Sequence, residues 1–142
     1  MSWRVLAVAF LLNVGWEMAQ MFAYVNMPVL SLRSLAGCSV AALGDALYVL
    51  ALYWIGRLLT RQPLWAAHLA ARRMISVLVC GLGFGLVIEH IALLHGFWQY
   101  RKNMPTLPFG VGLWPVLQSM ILPLVTFRII SLLCRGEARA GI

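Results

Sequence analysis

Three of the four carboxylates in this 142-residue chain, Glu17, Asp45 and Glu89, each interrupt a long apolar run. The fourth, Glu137, lies in the C-terminal tail, and no Lys or Arg flanks any of the three. An ionisable side chain at the centre of a bilayer costs about 3 kcal/mol on insertion scales, so its retention points to a function. Carboxyls gathered in one apolar place titrate as a coupled set and offer a proton donor beside an acceptor. General acid–base catalysis is the chemistry such a set can perform.

Each carboxylate has companions at helical spacing. Asn13, Trp16, Glu17, Gln20 and Tyr24 follow i, i+3, i+4, i+7 and i+11, so one helix face carries them all. The next run aligns Gly37, Ala41, Gly44, Asp45, Tyr48 and Leu52, where small residues let a neighbouring helix approach and Tyr48 stands one turn from Asp45. In the third, Gly81 and Gly85 form a G-x-x-x-G pair that Glu89 continues one turn later. A segment with Trp98, Tyr100, Pro105 and Pro108 then predicts an irregular cap at headgroup level. In the fourth run Trp114, Pro115 and Gln118 follow in close order, and Pro115 and Pro123 predict bends. Glu17, Asp45 and Glu89 are therefore candidate catalytic residues. Asn13, Trp16, Gln20, Tyr48, Trp98, Tyr100, Trp114 and Gln118 are candidates for binding the substrate.

The elements that position these groups must be membrane helices. The composition is 63% hydrophobic and 11% charged, against about 45–50% and about 25% in soluble domains. Four runs, roughly 3–25, 36–59, 74–94 and 109–133, suffice to cross a core about 30 Å thick. The fold class expected is all-α: a single transmembrane domain, 1–142, forming a four-helix bundle. Asn13, Glu17 and Gln20 inside the first run, with no small-x-small site after it, favour a retained span over a cleaved signal peptide.

Arg4, Arg57, Arg61, Arg72, Arg73, Arg128, Arg135 and Arg139 fall on the side of the termini, against Arg33, Arg101 and Lys102 on the other. By the positive-inside rule both termini are expected in the cytoplasm of a bacterial inner membrane. The formal charge of +7 thus marks orientation and contact with anionic membrane lipids rather than nucleic acid. With a rise of about 1.5 Å per residue, Glu17, Asp45, Glu89 and Gln118 all fall between the midplane and the outer interface. Independent polar accidents would scatter in depth; these converge.

Other chemistries find less support. Cys38, Cys80 and Cys134 lack paired-ligand spacing. His90 and His95 are poorly spaced for joint ligation and His68 lies at the opposite end, so neither a metal nor a cofactor is expected. The glycines before Glu89 lie inside a span and lack a following Lys-Ser/Thr, so they form no phosphate loop.

Asn13-Val14-Gly15-Trp16-Glu17 resembles the N-x-x-W-E stretch of small integral-membrane terpene cyclases, whose glutamate is implicated in acid-initiated cyclisation. That resemblance covers about five residues and carries over to Glu17 alone, since those enzymes have about seven helices. A broader pattern is similar to a group of small, uncharacterised bacterial four-helix membrane proteins. It comprises Trp16-Glu17/Gln20, Gly44-Asp45, Glu89, Trp98/Tyr100/Met104-Pro105 and Gly112-Leu113/Pro115/Leu117-Gln118. This second resemblance implies a four-helix fold and no activity.

The leading expectation is an acid–base enzyme of cyclase or isomerase type acting on a hydrophobic, isoprenoid-like small molecule. The alternatives are a proton-coupled carrier and an accessory or structural subunit, as a homo-oligomer or in a larger membrane complex.

Overall fold

A computed structural model describes residues 1–25, 27, 31–62, 65–67 and 70–140, with the backbone alone described at residues 67 and 137–140. His68 lies outside the described residues, as do the side chains of Glu137 and Arg139. The chain folds into four helices: α1 (Ser2–Gln20), α2 (Leu32–Thr60), α3 (Ala71–Leu94) and α4 (Leu113–Ala140). All four are long and apolar enough to cross a membrane, so both termini lie on one side. This is an all-α bundle with no strand among the described residues, only two isolated β-bridges.

Local chemistry explains where the helices begin and end. The first run leaves the α-helix at Gln20, passes through a 3-10 turn (Met21–Ala23) and is extended at Tyr24. Helix α2 starts at Leu32, earlier than expected, because the Ser31 hydroxyl caps it by accepting from the Ser34 N–H at 3.1 Å. Helix α3 closes in a Schellman turn. Gly96 takes the left-handed conformation (φ 67°), Phe97 N–H reaches the Ala92 carbonyl, and Gly96 N–H the Leu93 carbonyl.

Helix α4 starts at Leu113, later than its apolar run, after a turn (Pro108–Gly110) in which Phe109 and Gly110 have positive φ. Pro115 therefore occupies the first helical turn, where its missing N–H has no intrahelical partner to lose. The bend expected at Pro115 is corrected accordingly. Pro123 is inside the helix and frees the carbonyl of Ser119.

The helices pack as a row, α2 on α1, α1 on α4 and α4 on α3, while α2 and α3 make no comparable contact. At the α3–α4 seam the glycine pair acts as its spacing predicts. A Cβ on Gly81 would lie 2.3 Å from the Ser119 carbonyl oxygen, and one on Gly85 2.3 Å from the Ser119 hydroxyl. Ser119 Oγ donates to the Gly81 carbonyl at 2.9 Å, tying the two backbones together where the glycines let them approach.

On the side of the termini, Val5, Ala9, Ala46, Val49, Tyr53, Phe127 and Ile130 form a closed core with Trp65 from the α2–α3 connection. At the other end the two outer connections pair at Tyr24 and Tyr100. Val25 N–H donates to the Gln99 carbonyl, and Arg101 donates through its backbone N to Ala23 and through Nε to the Tyr24 carbonyl. This cap holds Met104 buried against Ala23 and Tyr24, with Trp98 and Tyr100 packed beside them.

Candidate functional site

Because α2 and α3 end the row without closing on each other, a cleft of about 590 Å³ remains between them. Glu17 of α1, Asp45 of α2 and Glu89 of α3 all line it, with Gln118 of α4. Its volume falls in the range of small-molecule sites, about 300–1,000 Å³. The Tyr48 ring of α2 stacks on Phe84 of α3, centroids 3.9 Å apart and 6° from parallel, and bridges the two helices one turn below Asp45. Trp98 lines the opposite end, at the cap. Val40, 73% exposed, and Ile88 also line the cleft, so it opens sideways between two spans, towards lipid.

The polar side chains form two groups. In the first, Gln118 is the hub: its Nε2 lies 2.9 Å from Asn13 Oδ1, 3.0 Å from Glu17 Oε1 and 2.8 Å from Asp45 Oδ2. Gln20 Nε2 donates to Gln118 Oε1 at 3.1 Å, and Asn13 Nδ2 is tied to the Ala9 carbonyl at 2.8 Å. Sharing one amide nitrogen puts Glu17 and Asp45 within the range, about 4–6 Å, over which one carboxyl's charge governs another's ionisation.

In the second group Glu89, only 4% exposed, accepts from Trp98 Nε1 at 3.2 Å and from the Tyr100 hydroxyl, both through Oε2. The Tyr100 oxygen accepts in turn from the Gly112 N–H at 3.1 Å. Gly112 is required here, because a Cβ would lie 2.9 Å from the Tyr100 hydroxyl. Burial pushes the Tyr100 phenol well above its ordinary range, and its hydrogen bond to Glu89 pushes it further, so the hydroxyl keeps its proton and remains a donor. Tyr24 is raised in the same way, by burial first and then by the charge of Glu89.

No family model, no curated protein and no solved structure matches the chain. The functional reading therefore rests on the geometry.

Of the residues singled out from the sequence, Asn13, Glu17, Gln20, Asp45 and Gln118 join one network, and Glu89, Trp98 and Tyr100 another. The rest lie elsewhere. Trp16 does not line the cleft, and neither does Trp114, which is 37% exposed on the opening turn of α4. Tyr48 packs on Phe84 instead of bonding Asp45; its hydroxyl is buried without a partner among the described residues. The small stripe of α2 takes no neighbouring helix, since a Cβ on Gly37 or Gly44 would meet nothing within 4 Å. Both glycines line the cleft, so their missing side chains are the cleft's volume. His90 is exposed, and His95 stacks on Phe97.

Sequence reasoning missed Phe84, Tyr24, Met27 and Cys38 as lining residues. Phe84 carried a usable signal, since it precedes Ile88 by one turn on the Glu89-bearing helix. Met27 carried none.

Proposed function

We propose that this protein is a membrane-embedded acid–base enzyme that isomerises or cyclises an isoprenoid-like, lipid-soluble alkene. The observation that supports this reading most directly is the shared cleft. Two carboxyls bridged by Gln118 line it together with a third carboxyl of different hydrogen bonding, and it opens at the level of lipid tails. A hydrophobic substrate would enter sideways between Val40 and Ile88.

In the forward step the Glu17 O–H bond breaks and its proton forms a C–H bond with one alkene carbon, using the π pair. The cationic carbon that results lies among the faces of Phe84 and Trp98, which stabilise positive charge. A neighbouring C–H bond then breaks, its pair makes the new double bond, and the proton passes to Glu89. Ring closure differs only in that a second alkene attacks the cation before the proton leaves. Product and substrate are isomers, so no co-substrate is consumed, and the cycle closes when Glu89 releases its proton and Glu17 regains one before the next turnover. Orientation with both termini in the cytoplasm of a bacterial inner membrane, as the eight-to-three distribution of basic residues favours, puts the cleft in the outer leaflet.

A carrier would need the cleft to continue to the side of the termini; a cavity of about 450 Å³ there, lined by Ala66, Met74, Leu124 and Arg128, shares no lining residue with it. The decisive test compares lipid extracts of cells producing the wild type or Glu17→Gln at equal protein levels, by untargeted mass spectrometry. An isomer pair whose ratio depends on Glu17 supports the enzyme; unchanged extracts, together with proton flux in liposomes that Asp45→Asn abolishes, would replace it with the carrier.

A further inference from the structure

We infer that the Glu17–Asp45 pair holds one proton at neutral pH, that it resides on Glu17, and that Glu89 opposite is the anion. The argument counts hydrogens. Gln118 Nε2 has two, yet three acceptors stand within 3.0 Å of it: Asn13 Oδ1, Glu17 Oε1 and Asp45 Oδ2. Turning the Gln118 amide over would set its carbonyl oxygen against Asn13 Oδ1, whose own direction is fixed by the bond from Asn13 Nδ2 to the Ala9 carbonyl, and would break the bond from Gln20. The amide direction is therefore settled and one hydrogen is missing.

An independent observation gives the missing hydrogen its place. Gln20 is 4% exposed, and its Oε1 is buried with no donor among the described residues. A buried acceptor left unmet costs about 1–3 kcal/mol. Gln20 follows Glu17 by nearly one turn on α1, and its amide group lies within reach of the Glu17 carboxyl, toward which its nitrogen donates. A proton on Glu17 relieves the crowding at Gln118, and the unmet Gln20 Oε1, nearly one turn on along the same helix, is the acceptor assigned to it. Asp45 takes the shortest of the Gln118 contacts, at 2.8 Å, and needs no proton of its own.

Glu89 presents the opposite account. Trp98 and Tyr100 donate two hydrogens to a single oxygen, Oε2, and donors aimed at a carboxyl favour its ionised form. One cleft thus has a charged acid station and an empty base station before any substrate arrives. This deepens the proposed acid–base reading and rests on it for its role in turnover: the proton's path is fixed from Glu17 to Glu89, not the reverse. The groups facing Glu17 are Asp45 from α2, Gln118 from α4, Glu89 across the cleft and the Tyr24 phenol from the cap, and none of them carries a positive charge.

The proton count is read without turnover. Infrared spectra of the wild-type protein in liposomes at neutral pH should show one protonated-carboxyl band per chain. Glutamate labelled with carbon-13 at its side-chain carboxyl should move that band, and similarly labelled aspartate should not. Glu89→Gln should leave it in place, Glu17→Gln should remove it, and Gln20→Met should shift it by taking away its acceptor. A band that follows the aspartate label, or survives Glu17→Gln but not Glu89→Gln, or is absent from the wild type, overturns the assignment. The label experiment needs no variant to fold. Unchanged lipid extracts with the band present on Glu17 would instead sink the enzyme reading alone.

Discussion

Two halves of this bundle, an inner one on the side of the termini and an outer one at the cap, are built from the same four helices and solve opposite problems. In the inner half Trp65 closes the core: its ring packs edge-on against Phe127, centroids 5.3 Å apart, and its Nε1 donates to the Tyr53 carbonyl at 2.9 Å. Gly56 makes room for that ring, since a Cβ there would come within 2.1 Å of it. In the outer half Gly37 and Gly44 of α2 make room for nothing. On α2, glycine thus serves tight packing at one end and an open cleft at the other. The carboxyl networks are confined to the outer half, while the buried polar groups of the inner half, Thr126 and Ser131, are hydroxyls. On the proposed function the chemistry lies in the outer half and the packed core in the inner one, so changes to the two halves should separate stability from activity.

The sharpest break should come from Trp65→Ala. Removing the wedge leaves a void in the closed core, and such losses cost about 3 kcal/mol or more. Thermal unfolding in detergent should drop markedly, while protein that remains folded should keep its outer-half activity. Gly81→Ala comes next. Its methyl would meet the backbone of Ser119, which cannot swing aside as a side chain can, and forced overpacking costs about 1–3 kcal/mol. An unchanged melting temperature would mean that the α3–α4 seam is looser than its geometry.

The same division explains what was legible in the chain. The four spans, the G-x-x-x-G seam and the common depth of Glu17, Asp45, Glu89 and Gln118 follow from periodicity and helical rise, which are local quantities. The pairing of carboxyls was beyond reach, because Glu17 and Asp45 meet through Gln118, roughly a hundred residues from Glu17, and only the packing order α2–α1–α4–α3 brings them together. The stripe of Gly37, Ala41 and Gly44 reads identically whether a helix fills it or a cavity does. Trp16 and Trp114 illustrate the related limit: period assigns a face, but which neighbour covers that face is a tertiary matter.

Gly44→Ala should invert the response of Gly81. A methyl at Gly44 meets nothing within 4 Å, and replacing an interior helical glycine by alanine gains about 0.5–1 kcal/mol. Melting should rise slightly. Gly44→Leu should keep that fold and fill the cleft beside Asp45, so the lipid isomer ratio that depends on Glu17 should collapse without loss of protein. Activity retained with leucine there would move the substrate out of this cleft.

The smallest effect should come from alkali, and it tests the cap alone. Tyr24 and Tyr100 both lie outside the spans, and in both the folded state holds the phenolic proton more tightly than the unfolded chain, whose value is about 10. A proton bound more tightly in the folded state stabilises fully below the unfolded value, and that contribution is lost as pH rises above about 10. Partial exposure of Tyr100 screens its share, so the loss should be smaller than either glycine effect. Melting measured upward from pH 8 should stay level and then fall. Tyr100→Phe should lower the starting value, because Glu89 loses a donor, and should flatten the fall that follows. A fall of equal steepness in that variant would assign the alkaline response to Tyr24, whose carbonyl anchors Arg101 at the same bridge. The cap would then respond to pH through its tie to α1 and not through its hold on Glu89.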